Sequence, residues 1–411
     1  MNVIPVQILN IFYNIMKKIP YGRQSISKKD KDEVVKSLSN DLITTGPYVK
    51  KFEELIKKTL KTKFALTCTS GTAALHLAFM AINLKKKDVI ILPIINFVAA
   101  SNLASILQAK IYFADVCPST GQMTPETLEA CVRKNRLKNI KAVVTMYMGG
   151  VPDNIKNFYY LKKKYKFFLL EDACHALGSK YIYNNKIYNV GCCNHSDICV
   201  FSLHPLKTIT SGEGGIVTTN NLDIFNRLIK LKNNGIDRKN YKNETKLPHW
   251  LYDISFPGLN YRLSDINCSL GYSQFKKVNK FILKRKKIVK KYIKFFNRFN
   301  NIINFRSFES GRYSSWHLFI ILIDFEKINK RKEDLLNYLL RHNIIAQQHY
   351  MPVYKYSYYK SLGKKKFDGA EKYYKKAVSL PIYFNLTDKQ VDYIKVQIYK
   401  FLKKNEFKLS A

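Results

Sequence analysis

Acidic residues are scarce in this chain. Against 70 Lys and Arg stand 30 Asp and Glu, a formal net charge of +40. Such an imbalance raises nucleic-acid binding as a first hypothesis. The distribution argues against it. Lys outnumbers Arg heavily, is mixed with Ile, Asn, Tyr and Phe along the whole chain, and no segment alternates Arg with aromatics as a base-stacking platform would. A genome biased toward Lys, Asn and Ile codons gives the same picture, so no nucleic-acid partner is expected. The consequence that remains is a surface potential favouring anionic substrates.

Long apolar runs are also missing. No stretch approaches the roughly 20 residues needed to span a bilayer. Residues 1–18 are apolar at Val3, Ile4, Ile8, Leu9, Ile11 and Phe12, but Asn10 and Asn14 interrupt the run and Lys17 and Lys18 close it. A secretory signal places its positive charge first. The segment reads as a short extension, and a cytoplasmic protein without a membrane partner is the default expectation. Paired C-x-x-C knuckles are absent too. The eight cysteines (Cys68, Cys117, Cys131, Cys174, Cys192, Cys193, Cys199 and Cys268) read as reduced, mostly buried thiols. The group Cys192, Cys193, His195 and Cys199 lacks the spacing of a zinc site, and no metal is expected.

What is present is enough apolar material, 46% of 411 residues, for two or three domains. The first two-thirds alternate apolar runs with amphipathic segments, the βα pattern of a mostly parallel sheet. Strands are expected at 64–67, 89–92, 110–115, 142–146, 167–171, 198–202 and 215–218. Helices are expected at 74–82, 125–134, 154–164 and 222–232. Several strands are apolar on both parities, as expected when helices cover both faces of the sheet. A helix pair is expected over 264–299. Beyond it the pattern predicts a strand at 316–323, a helix at 332–341, a strand at 344–349 and a closing helix at 388–404. There is no repeat and no Pro- or Ser-rich linker, so the boundary near residue 270 rests on the change of pattern alone.

Three segments carry chemistry. In Val200-Phe-Ser-Leu-His-Pro-Leu-Lys207 a strand ends in a polar turn that places one lysine before the Gly-rich Gly212-Glu-Gly-Gly215. A lysine amine held at a strand end and partly desolvated suits a Schiff base with a carbonyl cofactor. In a chain this rich in lysine, only the motif lifts Lys207 above a solvated surface charge. Phe167-Phe-Leu-Leu-Glu171-Asp172-Ala-Cys-His175 puts an acidic pair where open α/β sheets hold ligand groups. A carboxylate against a pyridine cofactor keeps its ring nitrogen protonated, and Asp172 has the chemistry and the position. The plainer reading is a helix N-cap. Thr67-Cys-Thr-Ser70-Gly71-Thr72 lets backbone N–H groups at a helix N-terminus approach a phosphate. Phe97, after the next strand, could stack on a flat ring or simply fill core.

In this order, these residues resemble the DegT/DnrJ/EryC1/StrS family of sugar aminotransferases, over nearly the whole chain from Ile19. The likeness extends to Thr45-Gly46-Pro47, Phe52-Glu53, Gly258-Leu-Asn-Tyr-Arg262-Leu-Ser-Asp265 and His349-Tyr350 with Pro352. It implies an α/β type I fold of the pyridoxal 5'-phosphate (PLP)-dependent transferases, like aspartate aminotransferase. The expected layout is an extension (1–18), a large PLP-binding domain with a mostly parallel central sheet (19–270), and connecting helices with a smaller α+β domain (271–411).

The resemblance also implies roles. Lys207 would hold PLP covalently and shuttle the proton. Asp172 would pair with the pyridinium nitrogen, and His175 would lie near the ring hydroxyl. Phe97 would stack on the ring, and Gly71, Thr72 and Ser202 would hold the phosphate. Asn260 would reach the phosphate of a neighbouring subunit, so a homodimer with shared sites is implied. Within the family, Ile19-Pro-Tyr-Gly-Arg-Gln24-Ser-Ile-Ser, Cys174-His175 and Phe201-Ser-Leu-His-Pro-Leu-Lys-Thr-Ile-Thr210 are similar to the transaminases of pseudaminic acid biosynthesis. That group transfers an amino group from L-glutamate to C4 of a UDP-linked 4-keto-6-deoxy sugar bearing an N-acetyl group. Tyr21, Gln24, His349 and Tyr350 would lie near the substrate.

Asn96, Tyr147 and Tyr354 depart from the family's usual Thr, His and His. The first two are expected around the cofactor and the third on the sugar side. Segment 241–251 reads as a lid or a variable turn. Three rival readings remain: the same chemistry on a dTDP- or GDP-linked sugar, a regulatory or nucleic-acid-binding protein on the same scaffold, and a membrane-surface role through the first 18 residues and the basic surface.

Overall fold

The computed structural model describes residues 18–237, 250–309, 313–362 and 367–403. Residues 1–17 and most of segment 241–251 lie outside them.

The chain opens with α1 (Lys28–Leu38), α2 (Pro47–Leu60) and β1 (Phe64–Cys68), followed by α3 (Gly71–Ala81), β2 (Val89–Pro93), α4 (Ala99–Ile106) and β3 (Lys110–Ala114). Next come α5 (Pro125–Lys134), β4 (Ile140–Met146), α6 (Ile155–Tyr165), β5 (Phe168–Asp172) and a hairpin of β6 (Lys180–Tyr183) and β7 (Lys186–Asn189). β8 (Ile198–Ser202), β9 (Gly215–Thr219), α7 (Leu222–Leu231) and the short pair β10 (Ile236–Asp237) and β11 (Asp253–Ile254) complete this part. The large sheet has seven strands in the order β1-β9-β8-β5-β4-β2-β3, and only β9 runs against the rest.

Alternation along the strands explains why both faces are covered. Leu66, Leu92, Val144, Leu170 and Val200 pack with α3, α4 and α7 on one face. Their neighbours of opposite parity face the other way: Ile91, Val143 and Leu169 meet α5 and α6, while Cys199, Phe201 and Ile216 meet α2 and α8 (Asp265–Phe275). Side chains of successive strand residues point to opposite faces, so two-sided burial needs apolar residues at both parities.

α8 leads into α9 (Val278–Phe296), whose N-terminal half joins the large-sheet core through Val278, Phe281 and Ile282. Its C-terminal half, with Ile288, Val289, Tyr292 and Phe296, belongs to a second core. That core lies against an antiparallel sheet of β12 (Ile303–Phe305), β13 (Phe319–Ile323) and β14 (Ala377–Leu380). Around it run α10 (Lys332–Arg341), α11 (Asp368–Lys376) and α12 (Asp388–Lys403). Residue 270 falls inside α8. The architecture is the type I transferase fold, with a mostly parallel sheet between helices and a smaller C-terminal α+β unit.

Four expectations need correction. The strand expected at 344–349 is not one; only isolated bridges Ile19–Ile344 and Gln347–Ser379 form. β13 starts at Phe319, because Trp316 adopts a left-handed φ of 50° that no strand accommodates. α3 begins three residues earlier than the pattern suggested, because the Ser70 side chain accepts a hydrogen bond from Ala73 N and caps it. The β6–β7 hairpin was not foreseen.

Candidate active site

A cavity of about 480 Å³ opens where α3, β5 and the β8–β9 connection meet the small domain. Ten of the residues singled out from the sequence line it: Tyr21, Gly71, Thr72, Phe97, Asp172, His175, Ser202, Lys207, His349 and Tyr350. A larger, more open groove of about 890 Å³ lies on the small domain and contains none of them.

Lys207 comes from the β8–β9 connection. The loop is closed at its base by Leu203 N to Gly214 O (2.8 Å) and Ser211 N to Leu203 O (3.1 Å), and Lys207 N bonds His204 O at 2.9 Å. Burial pushes the Lys207 ammonium below its ordinary value, against the opposing influence of Cys174 and Asp172. The amine is thereby moved toward its neutral, nucleophilic form.

Asp172 ends β5 and is 4% exposed. Its Oδ1 accepts from Cys174 N at 3.1 Å. Burial raises this carboxyl above its ordinary range, and Cys174 and Lys207 counter that rise. A buried carboxylate short of full compensation is suited to a cationic ring nitrogen.

The cavity is also lined by Gly71 and Thr72, the first residues of α3. Gly71 is required by close approach: an added Cβ would sit 2.8 Å from Ser202 Cβ and 3.3 Å from Cys174 Sγ. With the Ser202 hydroxyl alongside, the turn is built for an anion. Phe97 is 55% exposed, unusual for so large an apolar ring, and its centroid lies 5.9 Å from that of Tyr350.

His175 is 2% exposed; its Nε2 meets Tyr350 Oη at 3.0 Å, and its Nδ1 is buried without a hydrogen-bond partner among the described residues. His349 binds Ser379 Oγ through Nδ1 at 2.8 Å, and the Tyr21 ring lies 5.5 Å from it. Burial, with the Lys207 charge adding to it, drives the His349 imidazole down to about 3. His175 is likewise held far below its ordinary value, by burial first and then by Lys207 and His349. These imidazoles are neutral at physiological pH.

Gln24 and Asn260 are not brought into this cavity. Gln24 lines a small adjoining space with Arg285 behind Lys207. Asn260 is exposed, although the next residue reaches the anion turn through Thr69 N to Tyr261 O at 3.0 Å. The three departures from the family pattern lie off the cavity as well. Asn96 is buried and donates to Pro93 O (2.5 Å), Tyr147 donates to Glu171 Oε1 (2.8 Å), and the Tyr354 ring stacks on Phe367 at 5.6 Å. Conversely, His317 lines the cavity and was not foreseen. It sits in an apolar run read as strand, and the left-handed turn at Trp316 that re-aims it leaves no mark in a periodicity. The Cys192, Cys193, His195, Cys199 group forms no metal cluster among the described residues, and among them no helix is long and apolar enough to cross a membrane.

Comparison with known proteins agrees with this geometry. The chain is 35% identical over 387 residues to the UDP-4-amino-4,6-dideoxy-N-acetyl-beta-L-altrosamine transaminase of Campylobacter jejuni (strain 81-176), covering 94% of this chain and 98% of that one. GDP-perosamine synthase of Escherichia coli O157:H7 is 28% identical over 94% of this chain and 99% of its own length. Among solved structures, Helicobacter pylori PseC, an aminotransferase of pseudaminic acid biosynthesis, superposes with a TM-score of 0.84 at 28% identity, covering 94% of this chain and all of that one. Residues 24–398 match the family profile, and the chain belongs to the DegT/DnrJ/EryC1/StrS aminotransferase family.

Proposed function

We propose that this protein is a PLP-dependent aminotransferase that moves the amino group of L-glutamate to C4 of a UDP-linked 4-keto-6-deoxy-N-acetyl-L-hexosamine. The products are 2-oxoglutarate and the UDP-4-amino sugar of pseudaminic acid biosynthesis. The observation that carries this reading is the convergence of Lys207, Asp172 and the Ser70–Thr72 anion turn, from three separate strand ends, on one cavity. The Campylobacter and Helicobacter relatives supply the direction for the substrate.

The residues fit the cofactor. A Cβ at position 71 would fill the anion turn, His175 Nδ1 is an orphaned polar atom at the wall, and Phe97 presents an uncovered ring. When bound, PLP supplies a carbonyl that condenses with amines and a pyridinium ring that accepts the electron pair of the breaking substrate C–H bond. Gly71, Thr72 and Ser202 would hold its phosphate, Phe97 its ring face and His175 its hydroxyl. Asp172 would keep the ring nitrogen protonated. Lys207 would anchor the cofactor between turnovers. As a free amine it would move the proton between the substrate carbon and the cofactor. Tyr21, His349 and Tyr350 would face the substrate.

Asn260, outside its own cavity, would reach the phosphate in a second copy, making the working unit a homodimer with shared sites. Gln24 would sit behind the lysine and touch substrate only if that segment shifts. A cytoplasmic location suits a nucleotide-sugar substrate.

The test is a single-turnover absorbance experiment. Protein converted to the amino form with L-glutamate is freed of excess donor and given keto sugars one at a time. Return of the lysine-bound cofactor band with the UDP-linked L-altro sugar, and not with dTDP- or GDP-linked sugars, is the expected result. Return only with a GDP-linked sugar would move the substrate to that of the perosamine-type relative.

A further inference from the structure

His317 lines the cavity and has no task in the reading above. Its ring packs against His175 with centroids 4.4 Å apart and planes 42° from parallel. His175 is tied to Tyr350 through the 3.0 Å contact at Nε2, and its Nδ1 is buried with no hydrogen-bond partner among the described residues. A half-turn of the imidazole would exchange Nδ1 for a carbon and break the Tyr350 bond. Packing of the His317 ring at this distance restricts that turn.

His317 is itself seated by an unusual group. Arg285, on α9, is 3% exposed and makes no ion pair among the described residues. Its Nη1 donates to three backbone carbonyls: Trp316 (3.4 Å), His317 (3.2 Å) and Ile382 (2.9 Å). Two of these belong to the left-handed turn that directs His317 into the cavity. A β-branched or aromatic residue at positive φ is costly and persists only where its surroundings impose it. Other bonds fasten the same turn: Ser315 Oγ to His175 O (3.0 Å), Ser315 N to Ser179 Oγ (2.8 Å) and Trp316 N to Ser314 Oγ (2.8 Å). Gly150, at φ +93°, makes room for them; a Cβ there would lie 2.5 Å from His175 O and 2.6 Å from Ser315 Oγ.

Burying an unpaired guanidinium is expensive, so its placement against the His317 turn calls for a purpose. The Arg285 charge also contributes, after burial and the neighbouring His175 and Lys207, to holding the His317 imidazole far below its ordinary value. The stack therefore stays neutral and does not become a second cation beside Lys207.

We infer that His317, seated by Arg285 through the Trp316 turn, is a positioning residue that holds the His175 ring, and with it the His175–Tyr350 contact, in place at the wall of the cofactor cavity. This rests on the proposed PLP site. The test measures cofactor release from the purified holoenzyme by absorbance after dilution, together with the position of the absorbance band and the thermal melting of the cofactor-free form. His317→Ala is expected to release cofactor about tenfold faster, within the range for groups in direct contact, and to shift the band, which a loss of stability alone, read from the melting of the cofactor-free form, would not do. Arg285→Met is expected to do the same, Arg285→Lys to recover most of the loss, and the double variant to be no worse than His317→Ala alone. Release from His317→Ala at the wild-type rate, or effects of the two substitutions that add in full, would overturn the inference. Wild-type protein that takes up no PLP would instead overturn the proposed function.

Discussion

Glu171 and Asp172 are adjacent in sequence, both buried, and both raised above their ordinary values by burial. Yet they face opposite sides of β5. Asp172 shares its side with Lys207 and the cavity. Glu171 points into the packed side, where Tyr147 donates to it at 2.8 Å. One carboxyl is paired with a buried phenol; the other lines the cavity, with Cys174 N donating to it and the Lys207 charge acting on it. The period-2 alternation of a strand is enough to put one acid in the packed side and its neighbour on the cavity.

That contrast can be broken by substitution. The largest expected effect is at Lys207, the group Asp172 faces: Lys207→Ala should lower kcat at least about a thousandfold, the scale of a lost proton-transfer group, as measured by glutamate-dependent formation of 2-oxoglutarate. Turnover at the wild-type rate would remove Lys207 from the chemistry. Asp172→Asn should lower kcat about a hundredfold, as when one preorganised electrostatic partner is removed. Glu171→Gln should leave kcat near wild type. Equal losses at both positions would erase the distinction between the two faces.

A pH titration of stability sharpens it further. A carboxyl with a raised folded pKa binds its proton more tightly in the folded than in the unfolded chain. Its stabilising contribution is complete below the ordinary value, 4.5 for Glu171, and is lost as pH rises through the raised folded value. Glu171→Gln lacks that loss. Its stability relative to wild type should therefore climb with pH across this window, read by denaturant unfolding at stepped pH; a flat difference would contradict the burial argument. Asp172→Asn should behave alike without cofactor, and PLP should then favour wild type over this variant alone. The smallest effect is expected for Tyr147→Phe, which removes one hydrogen bond from Glu171 at about 1 kcal/mol and leaves turnover unchanged.

How much of this was legible in the sequence follows the same division. The parallel strands could be read because two-sided burial writes apolar residues at both parities, and the placement of Lys207 and Asp172 at one cavity because the first follows such a strand in a polar motif and the second ends one. α1, by contrast, is mostly Lys, Asp and Glu, with Val35 and Leu38 exposed, so it carries little apolar periodicity. His317 and Arg285 were hidden for another reason. Their meaning depends on a left-handed backbone turn and on contacts between α9 and the 314–317 segment, both of them three-dimensional facts. The strand expected at 344–349 failed because its apolar character serves packing against Ile19 and Ser379 through single bridges, not a ladder.

The most direct measurement is borohydride reduction of the PLP-loaded protein, then proteolysis and mass mapping. Reduction fixes a lysine-bound cofactor permanently, and a chain with 70 Lys and Arg offers many wrong answers. The expected result is one modified peptide, with the added mass on Lys207. Modification at another lysine, scattered labelling or none would contradict the assignment of this cavity as the catalytic site.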